Sequence, residues 1–263
     1  MKIGSKFAFV GALVFVATLA GHTSVFAQID SKIAPAAKKA AAEFAERAKG
    51  SEKTGEVPRM SDPATKRLLD AIFDTRDVQA AKPIPFSSVS QLTDRMLTGN
   101  KAGVIYMLAG TGITDMNQIG TLADAETKVN LNVIKYPAEM GSYFDHAVTM
   151  QGAVAESVRN HMSTLKPADL ARPNFQSGLA DVRSGAARSV SGVIETLAVN
   201  GIKDEWIRAR MPALAAVAPK LSKFLLPEQK EQLSKLAKAC ADVTDDAVSK
   251  KALQDFAVAI AAQ

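Results

Sequence analysis

The chain has one cysteine and three histidines in 263 residues, and each scarcity closes off a class of protein. With Cys240 alone, no intramolecular disulfide can form, which excludes a small domain stapled by cystines. It equally excludes a Cys-x-x-Cys-His haem attachment. No Glu-x-x-His or His-Glu-x-x-His pair occurs, so the spacing that bundle and protease metal sites need is missing and no metal is expected. There is no Gly-x-Ser-x-Gly elbow for a serine nucleophile. The glycines at Gly103, Gly110 and Gly112 lack the Lys-Ser/Thr ending of a phosphate loop. No nucleotide or other cofactor is therefore expected.

Charge of one sign is also scarce. The formal net charge is +5 and is scattered along the chain, unlike the clustered basic face of a nucleic-acid binder. No apolar run long enough to span a bilayer, roughly 18 residues or more, follows the first part of the chain.

What is present begins at the start. Lys2 and Lys6 precede an apolar stretch from Phe7 to Ala20, after which Val25-Phe26-Ala27 places small residues at the −3 and −1 positions before Gln28. That is the order of a cleavable secretory signal, so residues 1–27 are expected to be removed. The apolar core is too short for a spanning anchor. No Cys stands near the cut for a lipid anchor, and no Arg pair marks the twin-arginine route. Cleavage would lower the formal charge to +3 and leave His146 and His161 as the histidines. Export with a single thiol and an alanine-rich composition points to a periplasm or a secreted state.

Residues 28–60 read as an N-terminal helix, Ile29 to Lys49, and a flexible linker over Gly50–Pro58, which is polar and punctuated by Gly and Pro. Residues 61–263 read as one all-α, bundle-like domain. Ser61-Asp62-Pro63 sets a capping side chain before a proline at the first helical position. Helices are then expected to about Leu97, from Pro137 to about Leu165, from Phe175 to Val199, from Trp206 to Phe224, from Pro227 to Val243 and onward to Ala261. Pro212 and Pro219 are expected to divide or kink the Trp206–Phe224 segment. Residues 100–112 and 128–134 fit helix or strand; helix is preferred, because few other strand candidates could pair with them. The helix-compatible stretch around the second of these starts near Met116.

Two patterns stand out. A Ser-Gly pair recurs three times at a spacing of seven, which puts Gly178, Gly185 and Gly192 on one helical face. Each glycine costs about 1 kcal/mol against alanine inside a helix, and close approach of a second backbone would offset that cost. A tight seam against the Pro137–Leu165 helix is the expectation. On that helix, Met140, Phe144, Ala147, Val148, Gln151, Ala155, Val158 and Met162 form the expected core face. Glu139, Tyr143, His146, Met150, Ser157 and His161 lie about 100° around from it. Glu139, Tyr143, His146 and His161 are thus the candidate ligand-binding stripe at the core boundary. Cys240 shares a face with Leu233, Leu236 and Ala237, as a buried small hydrophobe would.

Leu225-Leu-Pro-Glu-Gln229 resembles the Leu-Thr-x-x-Gln motif of the Spy family of small periplasmic stress chaperones. It occurs once where that family repeats it, with Leu226 at the Thr position, so no family follows from it. The reading that emerges is an exported, non-catalytic helical protein that binds an envelope protein or a small hydrophobic ligand. The alternative is an enzyme whose site is assembled between helices around His146.

Overall fold

A computed structural model describes residues 33–80, 84–114 and 125–262. The expected signal peptide and the first part of the stretch beginning at Met116, to residue 124, lie outside the described residues. Every regular element among those residues is helical. In chain order these are α1 (Ile33–Arg47), α2 (Ser51–Thr54), α3 (Pro63–Ile72), α4 (Arg76–Ala80), a 3-10 turn (Phe86–Ser88), α5 (Val89–Leu108) and α6 (Ala125–Lys135). They continue with α7 (Pro137–Met162), α8 (Pro167–Leu170), α9 (Pro173–Leu197), α10 (Asp204–Ser222), α11 (Pro227–Asp242) and α12 (Ala247–Ala261). The two ambiguous stretches are helix: residues 100–108 close α5 and residues 128–134 lie within α6.

Proline positions explain many of the boundaries. Pro63, Pro137, Pro167, Pro173 and Pro227 each sit in the first turn of a helix, where a missing N–H costs nothing and the fixed φ suits the helix. Asp62 caps α3 by accepting from the backbone N–H of Thr65 at 3.0 Å and from its hydroxyl at 2.7 Å. Asp246 does the same for α12 through Ser249. At α11, Gln229 reaches back to accept from the Leu226 N–H at 3.1 Å.

Pro212 and Pro219 do not divide their helix; α10 runs through both. Both prolines are exposed, as are Arg208 and Ala215, whose carbonyls lose their helical donors. Those carbonyls fall on the solvent side, where water satisfies them at little cost.

α7 is the axis of the molecule. Sixteen of its residues are buried, more than one stripe can supply, because helices lie on several sides of it. α5 runs antiparallel to it, with Gly99 against His146 and Gly103 against Tyr143. α10 runs parallel to it and stays about 65 residues ahead: Arg210 meets Asp145, Val217 meets Gly152 and Lys220 meets Glu156. α9 lies alongside both α7 and α11, with Gln151 donating to Ser189 at 3.0 Å. The α11–α12 hairpin closes the C-terminal side, where Ser234 donates to the Ala257 carbonyl at 2.9 Å. Fully buried Phe44, Phe144, Phe224 and Phe256 anchor one continuous core; each such side chain contributes about 1.5–3 kcal/mol on burial.

The stretch expected to be a flexible linker is tied to that core. It carries the α2 turn, whose Ser51 carbonyl accepts from the Gly110 N–H at 2.9 Å. The Gly55 carbonyl accepts from the Tyr136 hydroxyl at 2.7 Å, and the Pro58 carbonyl from the Tyr106 hydroxyl at 2.6 Å. Gly55 and Gly110, both at positive φ, cross so closely that a Cβ on Gly110 would lie 3.1 Å from the Gly55 Cα. The N-terminal helix joins the same core, with Phe44 stacked on Tyr106 at 5.5 Å.

The expected seam at Gly178, Gly185 and Gly192 needs correction at its centre. Gly178 and Gly192 are buried, but Gly185 is half-buried and a Cβ there would meet no atom within 4 Å. No backbone approaches it, so its propensity cost stands without an offset. Gly185→Ala should therefore stabilise the protein by about 0.5–1 kcal/mol, read as a higher denaturation midpoint in urea; a lower one would show a contact at this position.

Candidate functional site

The α7 stripe is the place to begin, because it carries both described histidines. Pro137 opens the helix and sets its phase, which turns Glu139, Tyr143, His146 and Met150 toward α5 and the chain before it. Glu139 is buried and its carboxylate accepts from the Met60 N–H at 2.7 Å, which fixes the approach to α3. Tyr143 lies over Gly103, between Phe73 at 6.2 Å and Phe144 at 5.3 Å. Burial raises its phenol far above the ordinary tyrosine range.

His146 is 1% exposed. Its Nε2 would lie 2.5 Å from a Cβ on Gly99, and its ring centroid is 5.6 Å from that of Phe73. Neither ring nitrogen has a hydrogen-bond partner. Burial holds the imidazole down to about 4, against the pull of the Phe73 and Arg95 backbone groups, which lie near the ring but outside hydrogen-bond geometry. His161 stands at the far end of the helix, half-buried and stacked on Phe86 at 3.8 Å. The four candidates thus do not converge. Glu139, Tyr143 and His146 face the α5 side one after another as packing elements, and His161 belongs to a separate contact.

Beside His146 lies a buried ion pair that the sequence reading did not single out. Arg95 is 2% exposed and donates to both oxygens of Asp77, at 2.8 and 2.9 Å, and to the Asp74 carbonyl. The fork matches the carboxylate in the bidentate way that makes such pairs strong. It ties α5 to α4.

An open space does exist, on an adjoining face of α7. A cleft of about 470 Å³ lies between α4, α7 and α10. Its lining is mostly small or apolar, including Val78, Gly152, Ala213, Ala216 and Val217, with Thr149 and Gln79 as polar groups. Two ion pairs bound it. Arg210 donates to Asp145 at 2.7 Å, and Lys220 meets Glu156 at 2.7 Å. Burial raises the Asp145 carboxyl even though Arg210 pulls it down. Asp145, Thr149, Gly152 and Glu156 follow one another on α7 at helical spacing. That polar stripe was available in the sequence and was masked by the neighbouring histidines.

Catalytic chemistry finds little here. Cys240 is buried and its thiol is pushed up to about 11 by burial, which keeps it protonated and inert. Among the described residues no group of three or more His, Cys, Asp or Glu could hold a metal ion. No described helix is long and apolar enough to cross a membrane. No protein-family model, no curated protein and no solved structure matches the chain.

Proposed function

We propose that the chain is an exported, periplasmic, non-catalytic helical protein that binds a small hydrophobic ligand or an envelope protein through the cleft between α4, α7 and α10. The observation that carries this reading is the cleft itself, with its apolar lining and an ion pair on each side. A volume of about 470 Å³ falls within the range of small-molecule pockets, about 300–1,000 Å³. The glycine and alanines of the lining leave room for apolar groups, while Thr149 and Gln79 offer hydrogen bonds that would orient them. Export rests on the start of the sequence, from Lys2 to Ala27. An enzyme built around His146 has less support, since Gly99 and Phe73 enclose that ring.

Native mass spectrometry of the protein purified from its own host's envelope tests the reading. A retained small molecule that disappears in Ala213→Trp, which fills the cleft, is the expected result. A bare chain would remove the ligand arm, and crosslinking from a photoreactive residue at Ala213 would then seek a protein partner. The same spectrum reports whether the chain is cut after Ala27.

A further inference from the structure

His146 and Thr93 contribute the buried side-chain polar atoms that lack a hydrogen-bond partner among the described residues. For a hydroxyl this is a modest cost; for an imidazole it sets a condition on the charge the ring can carry. A neutral ring tolerates the site as an aromatic plate between the Gly99 backbone and Phe73. An imidazolium would present two N–H donors in a site that excludes water, with the Phe73 and Arg95 backbone groups near the ring but outside hydrogen-bond geometry.

Its charged neighbours do not help. Arg95 from α5 opposes a second cation, and its partner Asp77 from α4 is already engaged. Asp74, before α4, favours a proton only weakly and is itself tied to Arg76 at 2.8 Å. From α7 the neighbouring titratable group is Tyr143, whose phenol stays neutral. Gly99 leaves the ring no space to shift, so a charged ring reaches water only if α5 and α7 separate.

We propose that His146 is an acid-sensitive latch: a proton on its ring drives α5 away from α7 and loosens the N-terminal layer of α1, α3 and α5, while the α11–α12 hairpin stays closed. This inference does not depend on the ligand reading, which rests on the lining of the cleft rather than on the His146 ring. The sign follows from the two forms. The open form takes its proton near the ordinary 6.5 and the closed form refuses it until about 4. The open form therefore binds more protons within that window, and the closed form loses stability as pH falls through it. Each unit is a factor of ten, and each form is half protonated at its own end of the window, so the closed form is disfavoured by roughly 80-fold between pH 6.5 and pH 4.

Hydrogen exchange of the full chain at pH 6.5 and pH 4, corrected for intrinsic rates, reads this directly. Protection of α5 and α7 amides should fall by roughly 80-fold relative to amides of the α11–α12 hairpin. In His146→Phe, which keeps an aromatic plate without a titrating group, that differential loss should vanish. Should the variant not fold, an NMR titration of the wild-type histidine C2 protons stands in: the signal that stays neutral until about pH 4 should change together with α5 protection. A His146 signal that titrates near 6.5 in a closed protein, or an equal loss in His146→Phe, would overturn the latch.

Discussion

Replacing Arg95 by alanine is expected to lower the stability of the fold by about 3–5 kcal/mol, the cost of breaking a buried pair from one side. The reason lies in what remains. Asp77 has a side chain only 13% exposed and loses both N–H donors at once. The Asp74 carbonyl loses its donor as well. The comparison that isolates this cause is the double variant Arg95→Met, Asp77→Leu. It removes both charges and keeps apolar volume, so most of the lost stability should return. Urea denaturation followed by tertiary fluorescence of Trp206 measures all three proteins. A loss below about 1 kcal/mol for Arg95→Ala would mean that the pair behaves like an exposed one and that α4 is not anchored through it.

The second large effect concerns the face on which α5 meets α7. Gly103→Ala should destabilise by about 2–3 kcal/mol, at the upper end of the overpacking range, although alanine is the better helix former by about 1 kcal/mol. The clash wins because a Cβ on Gly103 would lie 2.6 Å from the Tyr143 ring. Phe73 and Phe144 hold that ring on its other sides. Shortening the obstacle with Tyr143→Leu should make Gly103→Ala nearly neutral in the double variant, and the coupling between the two changes is the diagnostic quantity. Additive losses would show that the two helices do not meet here. Gly185→Ala, the same chemical change on α9, should move stability the opposite way.

That contrast marks what the sequence makes legible. Helix starts were readable because their signals are local: Asp62-Pro63 and the prolines at 137 and 227 act through their own backbone. The all-α class followed from apolar spacing for the same reason. Long-range facts were harder. The Ser-Gly repeat drew attention to Gly185, whereas Gly99 and Gly103 on α5, and Gly141 and Gly152 on α7, are glycines that another helix presses against. Spacing places glycines on a face but does not say what stands opposite. The histidines misled in a related way. A polar stripe beside a core face reads as boundary when one partner helix is assumed, yet α7 is covered on several sides and the stripe is interior from Glu139 to Ser157. The stripe that borders open space, from Asp145 to Glu156, has the less conspicuous residue types.

The position of α7 also has a consequence in time. Its α5 face is matched by residues that precede it in the chain, whereas its α10 face waits for a helix about 65 residues farther on. A chain emerging N-terminus first can therefore assemble α1 through α7 and still hold a bare strip along Gly141, Asp145 and Gly152. At about 5–20 residues per second, the strip stays uncovered for several seconds. During that interval it is the surface on which premature association, or a holding factor, would act first.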